Sequence, residues 1–184
     1  MQTNISDMNI LNQFCEDFCH IVMQHAKYVI VSGFIAIASG RPRGTEDIDL
    51  ILEKLSPQKF TKLHADLVNH AFVCIQSDDS KTLYEYLEHH DSIRYTRKHA
   101  FLPQMEVKFA KDRIDEQQLQ HPVKLPLTGI DVLFGDLETN IAFKEAYLKS
   151  DKDLEDARHL RIVFKEQISE EKINKAKQLI QQLR

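Results

Sequence analysis

Gly33-Phe-Ile-Ala-Ile-Ala-Ser-Gly-Arg-Pro-Arg43-Gly-Thr45-Glu-Asp47-Ile48-Asp49-Leu50 is the stretch on which the reading of this chain turns. Acids and aliphatic residues alternate at its end, and Ile51 and Leu52 extend the aliphatic run. A strand with period two therefore turns Asp47 and Asp49 to one face and Ile48 and Leu50 to the other. Two carboxylates so placed lie within reach of one cation. Without a counter-charge their repulsion pushes one pKa up. A divalent ion removes that conflict, and hard oxygen ligands suit Mg2+ (or Mn2+), which is held by one or two carboxylates together with substrate phosphates. The plainer alternative is a strand end whose acids face water, and the neighbouring sequence has to separate the two.

Upstream, Tyr28-Val29-Ile30-Val31 is a short β-rich apolar run broken by Ser32-Gly33, and residues 34–39 read as a short buried helix ended by Gly40. A glycine turn between strand and helix presents backbone N–H groups where the helix dipole favours an anion, so phosphate oxygens are expected at Ser32 and Gly33. Arg41 and Arg43 add cationic charge and Thr45 a hydroxyl just before the paired acids. Each arginine alone would equally suit an exposed loop.

A third acid should come from another strand. In Met105-Glu106-Val107-Lys108-Phe109-Ala110 the alternation sets Glu106 and Lys108 on one face and Met105, Val107 and Phe109 on the other. Glu106 is the candidate general base or further metal ligand. Its alternative role is an ion pair with a cross-strand arginine, Arg94 or Arg97.

Taken together, Ser32-Gly33, the thirteen residues from Phe34 to Glu46, Asp47-x-Asp49 and the lone Glu106 resemble the nucleotidyltransferase superfamily that includes DNA polymerase β. Within it, Arg43-Gly-Thr45-Glu-Asp47-Ile-Asp49-Leu50 is most similar to the abortive-infection, AbiEii-like toxin nucleotidyltransferases. The usual Gly-Gly or Gly-Ser pair is Ser32-Gly33 here. The resemblance extends to Lys144-Glu-Ala-Tyr-Leu-Lys149-Ser-Asp-Lys152-Asp153-Leu-Glu-Asp156, which looks like the lysine and acidic block that this group carries on its helical C-terminal part. It implies that Lys144 contacts nucleotide phosphates and that Asp153 orients the lysine or the base. By helical spacing alone, Asp153 and Asp156 share a face, and a surface helix laced with ion pairs would give the same pattern.

At 184 residues with 42% hydrophobic content, the chain can bury a real core. The formal charge of -4 argues against a dedicated nucleic-acid coat, while leaving room for a local basic patch of Arg41, Arg43, Lys108 and Lys144. Apolar runs are too short to cross a bilayer, and the polar start lacks the basic-then-apolar pattern of a signal peptide, so no membrane is expected and the cytoplasm is the expected compartment. Three cysteines are too few and too odd for disulfide bracing. Cys15 and Cys19 fall on the apolar stripe of a helix with Phe14, Phe18 and Val22, which favours core packing over a zinc site with His20 and His25.

The periodicity predicts helices near 6–26, 33–39, 57–70 and 82–89, with Ser56 and Ser80 as caps, and strands near 28–32, 46–53, 72–75, 93–97 and 105–110. Leu125 to Gly135 reads as an extended edge, with Asp131 in a turn role, and residues 136–184 as helices only. The expected fold is α/β (α+β): a nucleotidyltransferase-like mixed β-sheet flanked by helices in 1–135, followed by a C-terminal helical region in 136–184 packed on that core.

The resemblance implies a metal-dependent transfer of a nucleoside monophosphate from an NTP to an acceptor hydroxyl, with pyrophosphate released. Asp47, Asp49 and Glu106 would hold metal and do the chemistry, and Ser32, Gly33, Arg43, Thr45, Lys144 and Asp153 would bind nucleotide. The acceptor is a tRNA, a protein or a small molecule, and a toxin of this kind would have an antitoxin as partner. The competing expectation is a non-catalytic nucleotide- or protein-binding module on the same fold. A small-molecule enzyme of the antibiotic-modifying kind should show acids gripping a cationic acceptor, and a toxin acting on tRNA a basic groove.

Overall fold

Five strands form one sheet in the order β1-β2-β5-β4-β3, where β1 is Tyr28–Val31, β2 Asp47–Leu52, β3 Phe72–Cys74, β4 Ile93–Arg97 and β5 Gln104–Phe109. Only β2 and β5 run parallel, and the other neighbours are antiparallel. The computed structural model describes residues 5–42, 44–45 and 47–183.

Helices fill the connections. They are α1 (Ile5–Val22), α2 (Gly33–Ala38), α3 (Pro57–Asn69), α4 (Ser80–Glu88), α5 (Arg113–Gln120), α6 (Leu137–Phe143), α7 (Asp151–Val163) and α8 (Glu170–Leu183). A π-helical turn, Lys144–Leu148, continues α6. The expected strands all form. The first helix stops at Val22, short of the expected 26, because its apolar stripe runs out there and the chain turns through residues 23–25. The cap of α4 is Asp79, whose carboxylate accepts from the Thr82 N–H at 2.9 Å, while Ser80 shares a hydrogen bond with Thr61 instead. Ser56 caps α3 as its position before Pro57 predicts. Helix α5 is new relative to the sequence reading, with Asp112 accepting from the Ile114 and Asp115 N–H groups. Of 125–135, expected as an extended edge, Pro126–Thr128 instead forms a 3-10 turn closed by a left-handed Gly129, and only the end of the segment lies along β1: Ile30 N–H donates to the Leu133 carbonyl at 2.8 Å, and Gly135 N–H to the Ile30 carbonyl at 2.9 Å.

Alternation gives the sheet two different faces. Ile48, Leu50, Leu52, Met105, Val107 and Phe109 enter the main core, where Phe18, Phe60, Phe72 and Tyr95 stack in edge-on and tilted contacts. Burial of aromatic residues on this scale is what a chain of this size has to drive folding. Cys15 and Cys19 are wholly inside it, as their place on the stripe predicts. That core continues without a break into Ile141, Leu160, Phe164, Ile173 and Ile180 of the C-terminal helices. On the opposite face Val29, Val31 and Ile51 form a smaller cluster with Leu119 of α5. Beyond that small cluster the same face carries Asp49, Asp47, Glu106 and Lys108. Among the described residues no helix is long and apolar enough to cross a membrane.

Candidate active site

Register places the acids. Asp49 pairs across β2–β5 with Glu106 and across β1–β2 with Val31, and Asp47 lies opposite Gln104. Because in-register neighbours point to the same side, Asp49 and Glu106 stand side by side on the open face, with Asp47 two positions away on the same strand. The parallel pairing that makes this possible could not be read from either strand alone.

Beside Asp49 lies a cavity of about 200 Å³ between the sheet, α5 and α6, lined by Ser32, Asp49, Lys108, Lys111, Asp115, Gln118, Asn140 and Lys144 among others. Burial pushes the Asp49 carboxyl above the ordinary carboxylate range; Lys108 pulls against it, Glu106 and Asp47 add to it, and a Ser32 hydrogen bond opposes it. Burial likewise raises Asp115, whose Oδ2 accepts from the Lys111 N–H at 3.1 Å. Lys108 Nζ is 3.8 Å from Asp49 Oδ1. The Glu106 carboxylate, in contrast, is engaged in an ion pair with Arg94, its register partner on β4. Of the two arginines expected as partners of Glu106, Arg94 takes it, and Arg97, three residues later and therefore on the other face of β4, pairs with Asp17.

Ser32 and Gly33 form the turn between β1 and α2. Ser32 has φ 66° and ψ −138°, a backbone conformation that L-residues rarely adopt. Its N–H donates to Asn140 Oδ1 at 2.9 Å. That N–H, expected to meet phosphate, is thus occupied within the protein. Gly33 opens α2 and is buried. Thr45 lies outside the cavity wall, its hydroxyl donating to the Asp47 carbonyl at 2.8 Å, where it braces the start of β2. Arg43 falls outside the described residues.

The lysine and acid block assembles differently from a solvated helix face. Lys144 is 1% exposed, with Nζ 2.9 Å from Asp156 Oδ2 and 3.2 Å from Asp153 Oδ1. Asp156 is fully buried and also pairs with Arg41, which reaches Glu155 as well. Arg41, expected in a basic patch around the acids, is thereby turned away from the sheet and ties the end of α2 to α7. Lys144 still contributes to the cavity wall, and Asp153 holds it there. Sequence reasoning missed Asp115, Gln118 and Asn140. The first two sit at i and i+3 of a helix that it did not assign, and Asn140 carries no local signal at all.

Asp47 and Asp49 suit a hard divalent ion in donor chemistry, and although burial is the chief cause of the raised Asp49 carboxyl, a cation would oppose the smaller push that Glu106 and Asp47 add. Among the described residues no three His, Cys, Asp or Glu side chains close into a metal cage. The two aspartates are the hard oxygen donors that a divalent ion would meet on this face, and Glu106, their neighbour, is held by Arg94.

No protein-family model and no curated protein matches this sequence. Similarity lies in solved structures. The solution structure of the antibiotic-resistance factor ANT(2'')-Ia matches at a TM-score of 0.56 and 13% identity, over 93% of this chain and 93% of that one. The crystal structure of an antigenic nucleotidyltransferase-like protein from Paracoccidioides brasiliensis matches at 0.54 and 16% identity, over 100% of this chain and 91% of that one. The mixed five-stranded sheet and its flanking helices are therefore a nucleotidyltransferase-like fold.

Proposed function

We propose that this chain transfers a nucleoside monophosphate from an NTP to an acceptor hydroxyl. The observation that carries this reading is the register of Asp49 with Glu106 on adjacent parallel strands, beside a cavity that Ser32, Asn140 and Lys144 also line. Asp47 and Asp49 would hold Mg2+ or Mn2+, which when bound would polarise the phosphate oxygens and offset developing charge. The acceptor oxygen attacks the α-phosphorus, its proton passes to a carboxylate of the same face, Glu106 in this reading, and the bond to the bridging oxygen breaks to release pyrophosphate. Lys108 supplies positive charge toward the phosphates, Lys144, held by Asp153 and Asp156, forms the buried wall behind them, and Ser32 and Gly33 shape the turn beneath them. Positioning and fixed charge then provide most of the acceleration.

The motif from Arg43 to Leu50 supports an AbiEii-like toxin role with an antitoxin partner. Labelling decides function and acceptor together: radiolabelled NTPs, with Mg2+ or Mn2+, are offered to total tRNA, to the protein itself and to small hydroxyl compounds. One pool should take up label, and Asp47→Ala with Asp49→Ala should lose it at least a hundredfold. Full-rate labelling by that double variant would sink the proposal. A second reading, a nucleotide- or protein-binding module without turnover, is favoured by one observation: Arg94 on Glu106 and Lys108 near Asp49 already neutralise two of the acids. Nucleotide binding without label transfer to any pool would support it.

A further inference from the structure

Ser32 occupies a backbone conformation that glycine adopts freely and other residues adopt under strain. Such a conformation persists only where its surroundings over-determine it. Here the Asn140 side chain holds the backbone N–H, while the Ser32 hydroxyl bonds Asp49. Asn140 Oδ1 accepts the Ser32 N–H at 2.9 Å, and Asn140 Nδ2 donates to the Asp136 carbonyl at 2.8 Å, so both ends of the amide are fixed. Asn140 is 5% exposed. Its helix is anchored in turn: Asp136 caps α6 through the Thr139 N–H at 2.8 Å, and the preceding Gly135 is hydrogen-bonded to Ile30 of β1. Strand, cap and amide thus close a rigid loop of contacts around the turn.

We propose that Asn140 is a positioning residue that does for this chain what a glycine at position 32 would do by itself: it holds the β1–α2 turn in its positive-φ form and so sets the Ser32 hydroxyl beside Asp49. Asn140 reaches the site through Ser32 and requires no contact with substrate. The functional arm of this inference rests on the nucleotidyl-transfer reading, and the structural arm does not. The C-terminal helices then take part in the site by fixing the geometry of the sheet's own turn as well as by lining the cavity.

Four proteins test it: the natural chain, Asn140→Ala, Ser32→Gly, and the double variant. Two readouts are taken, the melting temperature and the dissociation constant of a non-hydrolysable NTP with Mg2+. With Ser32 present, Asn140→Ala should lower the melting temperature by about 2–4 °C, the scale of one lost hydrogen bond in a chain of this length, and weaken nucleotide binding roughly tenfold. In the Ser32→Gly background both losses should shrink, the second to about twofold or less, because glycine adopts the turn unaided. Ser32→Gly alone should melt no lower than the natural chain. Equal melting losses in the two backgrounds overturn the clamp, since an ordinary core contact would behave that way. A coupled melting loss with unchanged nucleotide affinity overturns the positioning role. If the natural chain binds no nucleotide, the nucleotidyl-transfer reading fails, and the melting cycle still decides whether Asn140 holds the turn.

Discussion

Lys144 Nζ lies 2.9 Å from the Asp156 carboxylate, and neither side chain reaches solvent. Asp156 joins this lysine to Arg41, so one buried carboxylate links α2, the π-helical turn and α7. Removing the lysine leaves Arg41 alone to balance Asp156, and takes from Asp153 its buried partner. Lys144→Met is accordingly expected to cost about 3 kcal/mol in urea unfolding. A loss under about 1 kcal/mol would return the block to the class of exposed ion pairs.

Glu145 provides a pH-dependent test in the same region. Arg161 grips its carboxylate through Nε at 2.7 Å and Nη2 at 3.0 Å, and Lys177 reaches it at 2.6 Å, so α7 and α8 are both tied to the π-helical turn. The Arg161 hydrogen bonds, chiefly, hold the Glu145 carboxyl below the ordinary glutamate value. A carboxyl that is more acidic when folded stabilises the fold above its unfolded pKa, and that stabilisation is lost as pH falls through the folded pKa. Glu145→Gln should therefore be less stable than the natural chain at neutral pH. The two should converge in acid, as followed by circular dichroism. A stability difference that is the same at all pH values would mean that packing, and not charge, is what the substitution removes.

Gly135 is small because of Gln118. A Cβ at position 135 would sit 2.2 Å from Gln118 Oε1 and 3.2 Å from Val31 Cγ1. Gln118 is itself buried, and among the described residues its Oε1 has no hydrogen-bond partner. Gly135→Ala should cost about 1–3 kcal/mol through overpacking. Gln118→Ala in the same chain should recover most of that cost, and a purely additive result would remove Gln118 as its cause.

Under the proposed function, Arg94 would compete with a bound cation for Glu106. The two are register partners and ion-paired, and the Glu106 side chain is 18% exposed. Arg94→Met should tighten Mn2+ binding, read by electron paramagnetic resonance, by about fivefold, the scale of one part-exposed ion pair. In a Glu106→Gln background the same substitution should change little. An equal effect in both would indicate general charge repulsion by the arginine and not a hold on Glu106.

Asp47 to Leu52 and Met105 to Phe109 were legible because their alternation is strong, whereas Tyr28 to Val31 has none and was legible only as a short β-rich apolar run. Helix α5 was not. Its Arg-Ile-Asp-Glu-Gln-Gln-Leu-Gln run has two apolar residues and no stripe, although Asp112 ahead of Asp115 and Glu116 is an N-terminal signal that could have found it. Ser80 looked like a cap, but Asp79 won because a carboxylate one residue earlier is the stronger acceptor for the Thr82 N–H.

By itself the sequence determined what is periodic or adjacent: which face each acid takes on its strand, which residues enter the core, and the order of strands and helices along the chain. Tertiary structure alone decided what lies far apart in sequence. The parallel register of β2 on β5 brought Asp49 beside Glu106, Arg94 took the Glu106 carboxylate, Arg41 turned to Asp156, and Asn140 closed on Ser32 across 108 residues. The reason is that side-chain direction follows from local backbone geometry, whereas the partner of a charge or of a strained amide is set by which elements pack together.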